Sequence, residues 1–482
     1  MRIVQFVFVT ILMACFSVCG QNKQLLYDFI EVPQALMVNP GMKTSYQWYA
    51  GVPLFSGISF QVGSSGISVG DVFANDGRDI NDKIRDRVIH GLTPRDEISG
   101  TYQIELLSGG FRGRKRPNNF YSFGVYNEGD GIGYWPRDLV ILGFEGNADY
   151  LGRRFNLSHI KARGEIVNVF HFGINRKLNN KLTVGARGKL YSSVLNFTTT
   201  NNKGYFVTTE GERNVFAHTL VADLEHKTSG LNGIKAILDD DTVAKRKALL
   251  DLMKKRFLFG GNLGVGVDLG FTYNLDKQIV ITGSVLDLGF IYHNKDINSY
   301  SLKGEATIEG VEIILPDGIG DPDRDFWQNL VDDIEEVIPF ENNKKSYLTF
   351  RPTKLNGSIR YNYGEQIKTK EVCECSYKTD DTNGYVYANS IGGQLYVINR
   401  PRGPQMALTA FYQRRFGNVL AVKTTYTVDK YSYTNIGFGG SLQLGKVNMY
   451  AMVDNLLAYR NLARTRYASF QLGINIISWG KK

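Results

Sequence analysis

One pattern limits what this chain can fold into. Apolar residues recur at every second position over runs of about nine to eleven residues, and the positions between them are small or polar. Leu263, Val265, Val267, Leu269, Phe271 and Tyr273 share one parity, against Asn262, Gly264, Gly266, Asp268, Gly270 and Thr272. The same split sets Leu355, Ile359, Tyr361 and Tyr363 against Lys354, Asn356, Ser358, Arg360 and Asn362. It returns with Val184, Ala186, Leu190 and Val194 opposing Arg187, Lys189 and Tyr191, and with Val447, Met449, Ala451 and Val453 opposing Lys446, Asn448, Tyr450 and Asp454. Near the end, Phe470, Leu472, Ile474 and Ile476 oppose Ser469, Gln471, Gly473 and Asn475. Side chains alternate across a strand, so each run has one oily face and one small, polar face.

Two settings produce such strands. A soluble sandwich buries the oily face against a second sheet, whereas a membrane barrel turns it to lipid and the polar face to a lumen. Run length favours the barrel, because about nine to eleven tilted residues cross a bilayer. Aromatic residues gather near run ends (Phe271/Tyr273, Phe290/Tyr292, Tyr361/Tyr363, Tyr431/Tyr433), as interfacial girdles require. Tight polar turns at Leu178–Lys181, Asn274–Lys277 and Arg415–Asn418 fit one end of a barrel. The longer, charged segments 225–256, 313–345 and 364–385 are then expected at the other end. Composition agrees: 52 Gly, 28 Phe and 27 Tyr accompany 43% hydrophobic residues, too many for a disordered chain. The fold class read here is all-β, an antiparallel transmembrane β-barrel of about fourteen strands over residues 99–482. The parity changes near Leu286-Asp287, which predicts a bulge.

The first twenty residues read as a secretory signal peptide: Arg2, an apolar stretch from Ile3 to Val18, then Cys19-Gly20 before the expected cut. Leu12-Met13-Ala14-Cys15 offers a rival lipoprotein reading, weakened by the apolar Phe16 and Val18 that follow. Export leaves Cys373 and Cys375 as the mature cysteines, which could form a strained loop disulfide, stay as free thiols or contribute to a metal site. Residues 21–98 lack the alternation and are expected to form a lumenal plug or a periplasmic segment, with a short helix from Asp79 towards His90. Helices are also expected after Asp241-Thr242 through Met253 and from Asp325 to Ile334, packed on loops or over the barrel mouth.

Chemical motifs are sparse. The six histidines show no zinc spacing, and no nucleophile elbow, phosphate loop or zinc-protease motif occurs, so no enzyme activity and no cofactor are expected. Asp321-Pro322-Asp323-Arg324-Asp325 faintly resembles a calcium loop, but Phe326 stands where the turn needs glycine, and a solvated helix start is the stronger reading. The net charge of +9 is scattered, which argues against nucleic acid as a partner. The candidate functional residues are the lumen-facing charges Arg187, Lys189, Asp268, Lys354, Arg360, Lys423 and Asp454. Mixed signs can pair and close a lumen or line a wet passage, and they sit poorly with a dedicated fatty-acid conduit, which should be apolar inside.

Several strings carry a resemblance: Glu31-Val32-Pro33-Gln34-Ala35-Leu36-Met37-Val38-Asn39-Pro40, Tyr134-Trp135-Pro136-Arg137-Asp138-Leu139, Ser284-Val285-Leu286-Asp287-Leu288-Gly289-Phe290-Ile291 and Gly473-Ile474-Asn475. Over nearly the whole mature chain they resemble a Bacteroidota-type family of outer-membrane barrels of unassigned function, similar to the FadL (long-chain fatty-acid transporter) and PorV group. The resemblance implies a barrel of about fourteen strands in the outer membrane of a Gram-negative bacterium, with an N-terminal segment in or near the lumen. The chain departs from the expected ending, closing on Trp479-Gly480-Lys481-Lys482 rather than on a terminal aromatic. Two functions follow as expectations: a channel for small, even hydrophobic, solutes, or a non-transporting accessory of a secretion or surface-assembly complex. The partners expected are outer-membrane lipid, a small hydrophobic solute, and envelope or secretion proteins.

Overall fold

A computed structural model describes residues 23–211, 216–239, 244–309, 341–368 and 385–479. The alternating runs pair antiparallel into a closed ring of fourteen strands. In ring order these are Trp48–Gly51 continued by Ile58–Ser64, then Glu97–Arg112, Asn119–Tyr134, Ala162–Lys177, Leu182–Thr199, Asn262–Asn274, Ile279–His293, Lys354–Lys368, Tyr385–Arg400, Gly403–Phe416, Leu420–Val428, Asn435–Leu444, Val447–Asp454 and Tyr467–Ser478. Ile58–Ser64 closes the ring: Ile58 lies opposite Leu472 on one side and Ile104 on the other. Outward side chains are oily and open, with Ile359 61% and Leu408 52% exposed, while Asp268 and Lys423 on the inside are fully buried. Apolar side chains exposed all around a closed wall, with charge sealed inside, is the inverse of a water-soluble fold and suits hydrocarbon as the outer solvent. Among the described residues no helix is long and apolar enough to cross a membrane.

The wall is uneven. Strands from Glu97 to Phe416 run 13–18 residues, whereas the three from Leu420 to Asp454 run 8–10. Tight turns gather at one end, where side chains stand in for ladder partners. Asn179 Oδ1 accepts from the backbone N–H groups of Lys181 and Leu182, each 2.8 Å away, and Asp276 Oδ1 does the same for Gln278 and Ile279 at 2.7 Å. At the opposite end Lys203–Glu210, Phe216–Ser229 and Ile297–Glu309 pair with one another outside the ring. Helices Leu231–Asp239 and Lys245–Lys255 follow, and the tail Arg256–Gly260 lies on the outer face of the wall, where Phe259 stacks on Phe170 at 4.6 Å.

Four sequence expectations need correction. The wall begins at Trp48 rather than at residue 99, so the fourteenth strand comes from the N-terminal segment. Its alternation was hidden because Val52–Gly57, a turn containing Pro53, splits it into two short pieces. The 364–385 segment was expected across from the tight turns, yet Lys368 and Tyr385 end and begin strands at the tight-turn end. Tyr431 belongs to no girdle: it is buried in a turn, and its hydroxyl donates to Glu97 at 2.8 Å. Val194 is buried because the ladder slips past it, Ile166 facing Leu195 while Val167 faces Ser193. The bulge at Leu286-Asp287 is present: Val267 pairs with Leu288 but Leu269 pairs with Val285. The helix after Asp79 runs as Ile80–Lys83 and continues to Ile89. Cys373, Cys375, the acidic run at Asp321 and the helix after Asp325 lie outside the described residues.

Candidate functional site: the barrel lumen

Residues 24–46 lie inside the ring and touch it on every side. Leu25, Tyr27, Phe29, Val32, Ala35 and Leu36 form a buried cluster with Ala421, Tyr450 and Ile477 of the wall. The segment has little regular structure beyond the short helix Pro33–Met37, so its backbone oxygens must find partners elsewhere. Inward wall side chains supply them. Arg187 donates to the Leu36 oxygen (3.0 Å) and the Met37 oxygen (2.7 Å), Lys423 to Tyr27 (2.6 Å), and Asn175 to both Pro40 and Met42 at 2.8 Å. Ionic contacts add to these: Arg360 holds Asp28 at 2.8 Å, and Arg415 pairs with Glu31. Gln34 donates to Glu105 at 3.1 Å and to Asn475 at 2.8 Å.

Two inward glycines explain how the Asn39-Pro40-Gly41 turn fits. A Cβ on Gly185 would stand 2.0 Å from the Pro40 oxygen, and one on Gly270 would stand 2.2 Å from Asn39 Oδ1. Glycine there lets the lumenal backbone approach the wall directly.

Beyond this turn, towards the far end, the lumen is crossed by buried charges. Asp268 accepts from Arg187 Nε at 2.7 Å and from Lys189 at 2.9 Å; Lys189 also holds Asp287 at 2.6 Å, and Lys354 holds Asp287 at 2.9 Å. The Asp287 backbone N–H donates to Asp268 Oδ1 at 2.7 Å, tying the bulge to the network. Further along, Arg351 pairs with Glu128 and Glu165 and lies over the Tyr191 ring at 5.2 Å, and Arg400 pairs with Asp130 at 2.5 Å. At the rim Glu97 accepts from Lys430 and Gln405, each at 2.8 Å. Isolated charges would be intolerable at this depth, and mutual pairing is what makes them admissible.

All seven residues singled out from sequence point into this interior. Arg187, Lys189, Asp268 and Lys354 meet in one network, Arg360 and Lys423 grip the N-terminal segment, and Asp454 stands apart, accepting from Ser469 Oγ at 2.7 Å. Sequence reading missed Asp287 and Arg351, the two residues that strand irregularities turn inward. Asp287 occupies the bulge with φ +59°, and Arg351 sits in the gap between Tyr347–Phe350 and Lys354–Lys368, beside Pro352. The bulge and the in-strand proline were the available signals.

The lumen retains two small spaces. One, of about 50 Å³, lies among Lys23, Gln103, Glu128, Asp287, Lys354 and Tyr396; it is polar and has room for only a few waters. The other, of about 120 Å³, lies at the tight-turn end between Ile30 and Tyr46 of the lumenal segment and Leu420, Ala421, Ile477 and Trp479 of the wall; its lining is mainly apolar.

Residues 40–454 match the model of a family described as a family of unknown function, DUF5723. The chain belongs to that family. No curated protein matches it. Among solved structures it is similar to a TodX monoaromatic hydrocarbon channel mutant (11% identity, 93% of this chain and 94% of that one, TM-score 0.41). It is also similar to the Ralstonia pickettii toluene transporter TbuX (10%, 92% and 93%, TM-score 0.38) and to a Pseudomonas aeruginosa FadL homologue (7%, 93% and 94%, TM-score 0.39). At these scores the likenesses carry no argument about what this DUF5723 member does.

Proposed function

We propose that this DUF5723 protein is an outer-membrane barrel acting as a gated passage for small hydrophobic solutes, with residues 24–46 as the plug that closes it. The observation that carries the reading is how the lumen is filled. The N-terminal segment is held by many hydrogen bonds and ion pairs to inward wall side chains, in addition to its apolar cluster with Ala421, Tyr450 and Ile477, and those polar grips can be exchanged one for another. The cleft of about 120 Å³, lined by Ile30, Tyr46, Leu420, Ile477 and Trp479 and bordered by the Glu31–Arg415 pair, has room for a single ring or short chain. The polar chamber of about 50 Å³ is too small for such a solute, so passage requires the plug to shift. Solute uptake into proteoliposomes tests this: native protein should admit a monoaromatic or short-chain hydrophobe and exclude hydrophilic solutes of equal size, and equal exclusion of both would refute it.

A second reading, a non-transporting accessory of an envelope complex, draws support from the same lumen, where residues 24–46 pack against side chains from many wall strands. Pull-down from native membranes separates the two. A stoichiometric envelope partner together with an absence of uptake favours the accessory.

A further inference from the structure

We propose that helices Leu231–Asp239 and Lys245–Lys255, with the tail Arg256–Gly260, form an interfacial anchor seated in the headgroup layer of an anionic lipid surface beside the barrel. This rests on reading the outer wall as lipid-facing and is independent of whether the lumen transports.

Position comes first. Outward side chains on Ala162–Lys177 are apolar at Ile174, Phe172 and Phe170, are interrupted by Asn168 and resume at Ile166. Asn127 Nδ2 donates to Asn168 Oδ1 at 2.7 Å, and Tyr102 donates to Asn127 at 2.9 Å, so a hydrogen-bonded polar row interrupts the outward apolar face here. Ser192 continues this row on Leu182–Thr199 and donates to the Arg256 oxygen at 2.8 Å. The tail Arg256–Gly260 therefore meets the wall at this polar interruption of the outward apolar face. Phe259 stacks on Phe170 at 4.6 Å, with Phe257 at 6.3 Å.

Side-chain chemistry comes second. Helix Lys245–Lys255 packs against helix Leu231–Asp239, with Leu252 reaching towards Gly233. Another face is left uncovered: Leu250 is 51% exposed and Met253 39%, and Leu258 beyond the helix is 66% exposed. Residues 231–260 carry seven basic side chains against four acidic ones, with Lys254 and Lys255 in the last helical turn. Oily side chains interleaved with lysine and arginine, next to a band of outward apolar side chains, are what a helix needs to lie in a membrane interface and attract anionic headgroups.

The test uses the full chain with Cys15→Ser, Cys19→Ser, Cys373→Ser and Cys375→Ser, refolded into phosphatidylcholine vesicles containing one-fifth phosphatidylglycerol. Nitroxide labels are placed singly at Leu250→Cys, Leu258→Cys and, as a control, Lys247→Cys, and relaxation by oxygen is compared with relaxation by a water-soluble nickel chelate. Labels at 250 and 258 should favour oxygen several-fold over the label at 247, and high salt should narrow that difference. Equal accessibility at all three sites, with the heat-modifiable gel shift of a folded barrel intact, overturns the anchor without touching the barrel. Protection found in native membranes but absent from vesicles also overturns it, in favour of a protein occupant.

Discussion

Asp268→Ala is the sharpest perturbation the lumen offers. The carboxylate is fully buried and accepts four contacts: Arg187 Nε at 2.7 Å and Nη2 at 2.5 Å, Lys189 at 2.9 Å and the Asp287 N–H at 2.7 Å. Truncation leaves the Arg187 guanidinium, itself 2% exposed, with only the Leu36 and Met37 oxygens and the Met37 sulfur. Lys189 keeps Asp287, so one cation rather than two is stranded. Breaking one buried pair costs about 3–5 kcal/mol, most of it the uncompensated charge. With an m-value of about 2 kcal/mol per molar urea, the unfolding midpoint in lipid vesicles should fall by roughly 1.5–2.5 M. Adding Arg187→Met to Asp268→Ala removes the stranded charge and should restore more than half of the loss, a non-additivity measured as a double-mutant cycle. An Asp268→Ala midpoint within about 0.5 M of the parent, corresponding to roughly 1 kcal/mol, would refute the idea that pairing holds these charges out of water.

Further outcomes follow from the same geometry. Gly185→Ala places a methyl group about 2.0 Å from the Pro40 oxygen, so the Asn39-Pro40-Gly41 turn must retreat; single-channel current in planar bilayers should rise above the parent's, and an unchanged trace counts against the plug. Arg360→Ala combined with Lys423→Met removes grips on Asp28 and on the Tyr27 oxygen, and protease should reach residues 24–46 at least several-fold faster while the heat-modifiable barrel persists. Burial pushes the Asp429 carboxyl, in the turn after Val428, up to about 6, although it accepts from the Tyr431 and Ser432 N–H groups at 2.8 Å. A raised acid contributes stability that is full below its unfolded value near 3.8 and lost as pH rises through about 6. Urea midpoints should therefore climb as pH falls from 7 to about 4, and Asp429→Asn should flatten that slope.

The alternation in Asn262–Asn274 and Tyr467–Ser478 was legible because it is local: a strand's two faces are set by parity alone, and the ring preserves that parity. The tight turns were legible for the same reason, since Asn179 and Asp276 satisfy backbone groups two and three residues away. Trp48–Gly51 escaped because four residues before a proline turn hold too little alternation to distinguish a strand from a loop. Asp287 and Arg351 escaped because bulges and breaks invert parity at single positions, and the direction of that inversion depends on the neighbouring strand.

By itself, then, the sequence determined that oily and polar faces alternate, roughly how many strands carry them, and that charges of both signs lie on the polar side. Which charge meets which was decided by ring closure, since Arg187 and Asp268 are 81 residues apart and Arg360 and Asp28 are 332 apart. Tertiary structure also decided that residues 24–46 fill the interior. Nothing in a stretch whose apolar residues are mainly leucine, valine, methionine and tyrosine says whether its solvent is lipid, water or the inside of its own barrel. That choice is made when inward donors from many strands converge on backbone oxygens that have no other partner.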